Sequence, residues 1–324
     1  MYTPFGLYWN GMWQKPASGK SIPVISPVTE EVLGEAPAAN KSDTRKVVES
    51  AVSGTAQWRK VIAWERSRML RRVAEVMRER TDDMARWLSL ELGKPLDQSK
   101  GEVGMAIEQF EWYAEEAKRI YGHVLESRQP HGKVLIQHEP LGVVAAFTSW
   151  NFPVVLAARK IAPALAAGCS VILFPAEEAP GSAMSLVQCL HEAGVPAGVI
   201  NLINGSADTI SPVLLNESRV RKISLTGSAR VGKLLIKASA ETLKRTSMEL
   251  GGHAPVIIYA DADAEAIAEQ AALVKFKHCG QVCASPSRYF IHESQAEAFT
   301  NKFIEIAQNF KLGNGMESGV DIGP

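Results

Sequence analysis

Apolar residues recur with the period of an α-helix along the first part of the chain. The segments that show this period are 43–58, 64–92 and 102–120. In the last of them the apolar positions follow each other at steps of three and four residues: Val103, Ile107, Phe110, Ala114 and Ala117. Such spacing places them on one face of a helix, where they would form a buried stripe. This region is therefore predicted to be a helical scaffold, with its tryptophans in the core.

From about residue 134 the pattern changes to short apolar runs that alternate with helical segments. The predicted strands are KVLIQHE, GVVAAF, SVILF, VINLI, RKISL and APVIIY. The predicted helices among them are 153–167, 182–192 and 229–239. Apolar runs that are bounded by Gly and Pro and separated by helices indicate βαβ units and a mostly parallel sheet. The predicted fold class is α/β, with ligands at the carboxyl ends of the strands.

Composition and charge exclude several classes of function. A chain of 324 residues suffices for about two domains. It carries 35 basic and 35 acidic side chains without a basic cluster, so no nucleic-acid partner is expected. The N-terminal MYTPFGLYWN lacks the pattern of a secretory signal, and no apolar run reaches membrane-spanning length, so no membrane association is expected. The 4 cysteines, without regular spacing, indicate free thiols in a reducing cytoplasm.

One segment, LTGSARVGKLL, could hold a phosphate in more than one way. The dinucleotide fingerprint G-x-G-x-x-G is absent after every predicted strand. Gly227 and Gly232 stand at P-loop spacing, with Asp261 at the end of VIIYAD as a candidate acidic residue, but Leu234 replaces the Ser or Thr that a P-loop needs. A glycine turn at a helix N-terminus, with Ser228 at its start, would also receive a phosphate. An ordinary helix cap formed by Ser228 fits the same residues.

The segment FKHCGQVCASPSR, residues 276–288, contains two of the cysteines. C-x-x-x-C with His278 beside it and His253 elsewhere matches no zinc spacing, so no metal is expected. If Cys279 and Cys283 shared one helix, their Cβ atoms would lie about 5–6 Å apart. A disulfide needs roughly 3.5–4.5 Å, so a bridge would be strained.

The two thiols are predicted to lie in different settings. An amphipathic helix from Ala264 would carry Cys279 in its last turn, with Gly280 as its stop. Cys283 falls beyond that stop, in a connector of the kind that presents reactive side chains. The remaining cysteines, Cys169 and Cys189, are expected to be small buried hydrophobic residues. Cys283 is therefore the candidate nucleophile.

A nucleophilic cysteine needs a base and an oxyanion stabiliser, and two segments could supply them. In SWNFP, Asn151 precedes a helix whose first turn contains Pro153, so its amide would lie at the positive end of that helix. Asn151 could equally serve only as a helix cap. In MELGGHAP, Glu249 ends a predicted strand; it is a surface carboxylate unless a pocket raises its pKa.

Taken together, the motifs resemble those of the aldehyde dehydrogenase superfamily along nearly the whole chain. They occur in the family's order: FTSWNFP, APALAAGC, LTGS, MELGGHAP and GQVCASPSR. The resemblance implies that Cys283 is the nucleophile, Glu249 the general base and Asn151 the oxyanion donor. It implies oxidation of an aldehyde to the acid through a cysteine thioester, with hydride transfer to NAD or NADP. Cys279 would then serve only in packing.

The resemblance also implies a domain organisation. Residues 1–120 and 140–248 would form a Rossmann-like NAD(P)-binding domain without G-x-G-x-x-G, and 121–139 an oligomerisation arm. Residues 249–324 would form an incomplete α/β catalytic domain. If the full-length family pattern holds, the protein is a homo-oligomer.

The resemblance further assigns residues to the cofactor. Trp150 would line the passage beside the cofactor, Glu177 would accept from ribose hydroxyls, and Gly227 and Ser228 would hold the adenine-side phosphate. Phe174 stands where the family usually has a lysine that holds the ribose. Weakened binding is therefore expected, with NAD preferred over NADP because the charge of Glu177 opposes a 2′-phosphate.

The family continues beyond VDIGP, with a Glu-x-Phe-Gly-Pro segment, the rest of the catalytic domain and a pairing strand. We therefore expect low or absent dehydrogenase activity in this chain alone, and exposed apolar surface. The residues around Cys283 resemble those of enzymes acting on semialdehydes of carboxylic acids. Arg159 could hold the carboxylate of such a substrate, or lie on a solvated helix face.

Two other functions fit parts of the same pattern. A Cys-His hydrolase using His278 or His253 would need no dinucleotide, and a non-catalytic relic would keep the fold without turnover. Nucleotide binding would separate an oxidoreductase from the hydrolase. Reactivity of the thiol would separate both from the relic.

Overall fold

The protein is described here by a computed structural model covering residues 4–324. Its strands are β1 Leu7–Trp9, β2 Met12–Gln14, β3 Ser21–Ile25, β4 Val32–Pro37, β5 His123–Glu126, β6 Lys133–Ile136, β7 Val143–Phe147, β8 Ser170–Phe174, β9 Ile200–Leu202, β10 Val220–Gly227, β11 Arg245–Leu250, β12 Val256–Ile258 and β13 Tyr289–Ile291. Its helices are α1 Lys41–Trp58, α2 Ala63–Glu79, α3 Thr81–Leu92, α4 Leu96–Glu116, α5 Pro153–Ala166, α6 Pro180–Glu192, α7 Ala207–Asn216, α8 Ala229–Ser239, α9 Ala264–Phe276 and α10 Glu293–Asn309.

Within these residues the largest sheet has seven strands in the order β11-β10-β7-β8-β9-β1-β2. Strands β7 to β11 pair in parallel, whereas β1 pairs antiparallel with β9 and with β2. The chain runs outward from β7 through β8 to β9, then returns to place β10 on the other side of β7. The predicted α/β class with a mainly parallel sheet is confirmed. The reversal at β7 and β10 creates the crevice in which such sheets usually bind ligands.

Helices cover both faces of the sheet, as parallel strands require. Side chains of β7 and β8 alternate between two apolar clusters. Val144 and Leu173 pack on the side of α2 to α6, while Ala145 and Ile172 pack on the side of α1, α7 and α8. The two-residue period of a strand produces this alternation. Both strands are buried throughout, which explains their continuous apolar sequences.

The structure differs from the sequence-based predictions for the first part of the chain in two ways. The single helix predicted over 64–92 is two helices, because α2 ends at Glu79 and α3 starts at Thr81. The acidic pair Asp82 and Asp83 lies in the first turn of α3, where the helix dipole favours negative charge. The strands β1 to β4, which precede α1, were not predicted. Strands β1 and β2 have 3 residues each, too few for a clear period, while β3 and β4 contain Pro or Gly, which weaken a strand signal.

The segment after residue 249 contains a second, separate sheet formed by β12 and β13, which pair in parallel. Helices α9 and α10 pack on it around Ile258 and Phe299. The domain boundary at this position stays a prediction.

Residues 121–139 contain the hairpin of β5 and β6, which are joined antiparallel. Its apolar side chains are exposed, with Val124 at 67% and Leu135 at 64%. Its service as an oligomerisation arm stays a prediction. Across residues 4–324, no helix combines the length and the apolar character needed to cross a membrane.

A matched pair of glycine substitutions tests the packing of α1. In Gly54→Ala, the new Cβ would press on the backbone carbonyl of Gly198, which cannot move aside as a side chain could. We expect a loss of about 1–3 kcal/mol in the free energy of unfolding. In α4, Gly101→Ala meets nothing within 4 Å, and should gain about 0.5–1 kcal/mol through helix propensity. Urea unfolding of both variants measures these changes, and equal midpoints for the two would contradict this account.

Candidate active site

A cleft of about 1280 Å³ brings together residues that are far apart in the sequence. Cys283, Glu249 and Arg159 all line it. The first lies in the connector before β13, the second on β11 and the third on α5. The cleft therefore contains a thiol, a carboxylate and a guanidinium around one solvent-accessible volume.

Cys283 reaches the cleft because the chain changes direction after α9. That helix ends at Phe276, and a 3₁₀ turn follows over Lys277–Gly280. His278 and Cys279 both adopt left-handed backbone conformations, with φ of 48° and 57°. Cys279 is therefore not in the last turn of the helix, and Gly280 is not its stop, as the sequence had suggested.

The cysteines differ in exposure, and all are free thiols. Cys283 is exposed, whereas Cys169 and Cys189 are buried, as predicted. Cys279 is partly buried, its Sγ lies 3.1 Å from the carbonyl oxygen of Gly323, and burial raises its pKa. Among residues 4–324, no three His, Cys, Asp or Glu side chains come together as a metal site.

Asn151 contacts the connector that carries Cys283. Its Nδ2 donates to the carbonyl oxygen of Gln281 at 2.8 Å, and its Oδ1 accepts from the hydroxyl of Ser149 at 2.8 Å. The N-cap of α5 is Phe152, so Asn151 is not the helix cap that the sequence allowed as an alternative. A side-chain amide has two N–H donors, so one hydrogen bond to Gln281 does not exhaust its capacity.

A buried lysine in the same cleft was missed by the sequence analysis. Lys160 is 7% exposed, and its Nζ donates to the hydroxyl of Ser224 at 3.1 Å. Burial lowers the pKa of Lys160 to about 8, with a further decrease from Lys222, while the charge of Glu249 opposes the change. Arg159 is exposed, which agrees both with binding a substrate carboxylate and with a position on a solvated helix face. Lys160, the next residue, is buried and does not lie on a solvated face. The sequence contained one signal for the unusual position of Lys160, since Arg159 and Lys160 are the only charged residues in α5.

The residues assigned to the cofactor lie at the carboxyl ends of neighbouring strands. Trp150 follows β7, Glu177 follows β8, and Gly227 ends β10. Since these strands are adjacent and parallel, the three residues lie along one edge of the sheet. Trp150 and Glu177 also line a cleft of about 530 Å³, to which Gly227 and Ser228 do not contribute.

Ser228 is the N-cap of α8, and its hydroxyl accepts from the N–H of Val231 at 3.3 Å. The prediction that Ser228 caps a helix is thus confirmed. The role of Ser228 in binding a phosphate stays a prediction. The P-loop hypothesis is wrong, since Asp261 follows β12, which belongs to a different sheet from β10.

Glu177 and Phe174 are the residues that the resemblance associates with a ribose. The pKa of Glu177 is raised by partial burial and by the neighbouring carboxylate of Glu178. Phe174 is 6% exposed and packs edge to face on Phe147, with ring centres 5.5 Å apart. An aromatic ring in this position fills the apolar side of the sheet and offers no hydrogen-bond donor.

His278 is buried, at 2% exposure, beside the rings of Trp150 and Phe152. Burial, and secondly the charge of Lys94, lower its pKa to about 3. Neither ring nitrogen has a hydrogen-bond partner in the part of the chain that the structure describes. His253 is exposed in the loop before β12. No hydrogen bond within residues 4–324 joins either histidine to Cys283, so the pair that a Cys-His hydrolase needs is not assembled.

Comparison with known proteins adds an independent result. A profile described as "Aldehyde dehydrogenase family" matches residues 13–324. The chain is 42% identical over 317 residues to glutarate-semialdehyde dehydrogenase of Pseudomonas putida, covering 98% of this chain and 66% of that protein. It is 39% identical over 315 residues to an NADP(+) succinate-semialdehyde dehydrogenase of Escherichia coli, covering 97% and 65%.

A solved structure described as an E. coli NADP-dependent enzyme superposes with a TM-score of 0.97 at 39% identity. The match covers 99% of this chain and 67% of that one. This chain thus spans about two thirds of the length of these relatives.

The lowered pKa of His278 predicts a dependence of stability on pH. Between pH 6.5 and about 3 the unfolded chain binds a proton that the folded chain does not, so stability falls as the pH falls through this window. We expect wild type to lose about 2 kcal/mol more than His278→Asn between pH 7.5 and 5.0. Asn suits this site because it tolerates the left-handed backbone.

Urea unfolding at the two pH values measures the effect. The matched control is His253→Asn, which removes an exposed histidine from the loop before β12. Identical pH dependence in wild type and His278→Asn would contradict a neutral, buried imidazole.

Proposed function

The chain belongs to the aldehyde dehydrogenase family, and from this membership we propose that it takes part in the oxidation of an aldehyde to a carboxylic acid with NAD as hydride acceptor. The observation that carries the proposal is the arrangement around the large cleft. Cys283 and Glu249 line the same volume, and Asn151 is bonded to the connector that presents the thiol. A nucleophile, a base and an oxyanion donor are the groups that this chemistry requires.

In the proposed mechanism the thiolate of Cys283 adds to the carbonyl carbon of the aldehyde. The oxygen becomes an oxyanion, which the amide of Asn151 and the backbone N–H of Cys283 stabilise. A bound nicotinamide dinucleotide would supply the acceptor for the hydride that leaves this adduct. The thioester that remains on Cys283 is then hydrolysed by a water from which Glu249 removes a proton.

The residues at the sheet edge fit a dinucleotide, with one exception. Glu177 can accept from ribose hydroxyls, and the N-terminus of α8 at Ser228 can receive a phosphate. Phe174 cannot donate to the ribose. We propose binding that is weaker than it would be with a lysine there, and a preference for NAD, because the carboxylate of Glu177 repels a 2′-phosphate.

An aldehyde with a negative charge is the proposed substrate class. The cleft is lined by more cationic than anionic side chains, since Arg66, Arg159, Lys160 and Lys222 are among its lining residues. Arg159 is exposed to the cleft and can bind a carboxylate through two parallel hydrogen bonds. Relatives whose names specify glutarate semialdehyde and 3-sulfolactaldehyde agree with an anionic substrate.

Substitutions at the cleft test the mechanism through the burst of NADH and the steady-state turnover that follows it, both compared with wild type, whose overall rate we expect to be low. We expect Cys283→Ala to abolish the burst, and Asn151→Ala to slow it by about 10²–10³-fold through loss of an oxyanion donor. Glu249→Gln should preserve the first burst of NADH and slow later turnovers by about 10²-fold. The matched control is Cys279→Ala, which removes the neighbouring thiol and should leave the burst in place.

The same assay tests the substrate class. Arg159→Met should raise the KM for succinate semialdehyde about tenfold or more while changing the KM for the neutral propanal little.

A burst that survives in Cys283→Ala would rule out the thioester. Binding of NAD without any burst in wild type would reduce the proposal to cofactor binding alone.

Titration of tryptophan fluorescence with NAD and NADP tests the cofactor preference. We expect tighter binding of NAD in wild type, and Glu177→Gln to improve NADP binding about tenfold by removing the repulsion. The neighbouring carboxylate Glu178, changed to Gln, is the control. Tighter binding of NADP than NAD by wild type would overturn the preference.

A further inference from the structure

Two buried glutamates hold the N-termini of the crossover helices that follow β7 and β8. Glu102 of α4 is 0% exposed and Glu91 of α3 is 3% exposed. A carboxylate is rarely buried so fully unless hydrogen bonds or charges compensate for the loss of water. Each of these two is compensated by the start of a different helix.

Helix α5 has no cap from its own sequence. Its N-cap residue, Phe152, makes no side-chain hydrogen bond. Instead the N–H groups of Val154 and Val155 both donate to Oε1 of Glu102, at 2.9 and 3.1 Å. The other oxygen of Glu102 is ion-paired with Lys94, whose Nζ lies 4.7 Å from the centre of the Phe152 ring. One carboxylate thus satisfies free amides at the positive end of α5 and ties them to α4.

Helix α6 repeats the arrangement. The backbone of its N-cap Ala179 has φ −136° and ψ 54°, close to the −141° and 64° of Phe152, and again provides no side-chain cap. The N–H groups of Gly181 and Ser182 donate to the two oxygens of Glu91 at 2.7 and 2.8 Å. At Gly181 a Cβ would lie 2.5 Å from the ring of Trp87 and 2.9 Å from Oε1 of Glu91, so glycine permits the close approach of both side chains.

Each of these helices begins at the end of a loop that the proposed function uses. Asn151 lies between β7 and α5, and Glu177 lies between β8 and α6. The strand fixes one end of each loop, and the buried carboxylate fixes the other. Asn151 in turn bonds to the Cys283 connector, so any movement of the start of α5 would reach the thiol.

We infer that Glu102 and Glu91 are positioning residues for the two halves of the site. Glu102 sets the loop that presents Asn151 to the Cys283 connector, and Glu91 sets the loop that presents Glu177 to the ribose. Glu102 lines neither cleft, and Glu91, although it lines the smaller cleft, is 3% exposed and has both oxygens bonded to the start of α6. The assignment of the loops to catalysis and to cofactor binding rests on the proposed function, whereas the mechanical role of each carboxylate does not.

Hydrogen exchange of the full chain, followed by mass spectrometry, tests the mechanical role. Glu102→Gln should speed exchange of the amides in 149–156 about tenfold and leave 177–183 unchanged, and Glu91→Gln should do the reverse. Glu108→Gln, an exposed residue of α4, is the control and should change neither. Equal effects of both variants on both segments, or no effect, would overturn the inference.

A second variant covers the case in which Glu102→Gln fails to fold because Lys94 is left as an uncompensated buried charge. Lys94→Met combined with Glu102→Gln removes both charges and keeps the volume. Faster exchange in 149–156 of this double variant supports the inference, and wild-type protection there overturns it. For α6, Glu91→Asp keeps the charge but shortens the side chain, and should open 177–183 in the same way.

Ligand binding distinguishes positioning from a purely structural role. Glu91→Gln should weaken NAD binding about tenfold, and Glu102→Gln should instead slow the NADH burst about tenfold at saturating NAD. If Glu91→Gln and Glu102→Gln each lowered both the affinity for NAD and the rate of the NADH burst, the assignment of one glutamate to each loop would be overturned. If wild type binds no NAD, the proposed function fails, and the exchange pattern still decides whether the two carboxylates hold the loops.

Discussion

The parallel pairing of β7 with β8 on one side and β10 on the other is the constraint on which the rest of the structure depends. Parallel strands are buried on both faces, so their backbone hydrogen bonds and apolar side chains tolerate little displacement. All their carboxyl ends point to one edge. The residues that follow these strands, including Asn151, Glu177 and Ser228, therefore lie at the same edge. They do not need to contact one another to be placed there.

The sheet alone does not bring Cys283 to this edge. Cys283 comes from the segment after α9, and it is turned toward the cleft by two consecutive left-handed residues, His278 and Cys279. Such conformations cost free energy in residues with a side chain. Burial of the His278 ring beside Trp150 and Phe152 and the hydrogen bond from Asn151 to Gln281 compensate for that cost. The connector that carries Cys283 and the loop that carries Asn151 therefore stabilise each other.

Charge is distributed unevenly between the two ligand regions. The large cleft contains Arg159 and the buried Lys160, which favour an anion there. The smaller cleft is lined by Glu177 and Glu178, and in the proposed function the charge of Glu177 disfavours an additional phosphate. Two buried glutamates bind the starts of α5 and α6: Glu102 lines neither cleft, whereas Glu91 is among the residues that line the smaller one. Glutamate thus stabilises the scaffold where it is buried, and in the proposed function it discriminates between ligands where it is exposed.

The sequence by itself determined the α/β class, most crossover elements and the family, because period-two and helical patterns and contiguous motifs are local signals. Strand β8 and helix α8 occur where the pattern predicted them. The left-handed turn at His278 and Cys279 was decided by tertiary contacts, which no local pattern records, whereas the start of α3 did carry a local signal in Asp82 and Asp83. The sequence did not show that Lys160 is buried, because the burial of a side chain depends on which residues the fold packs against it. Likewise Glu91 and Glu102 look like surface residues of amphipathic helices, and only the folded chain brings them to the ends of α6 and α5.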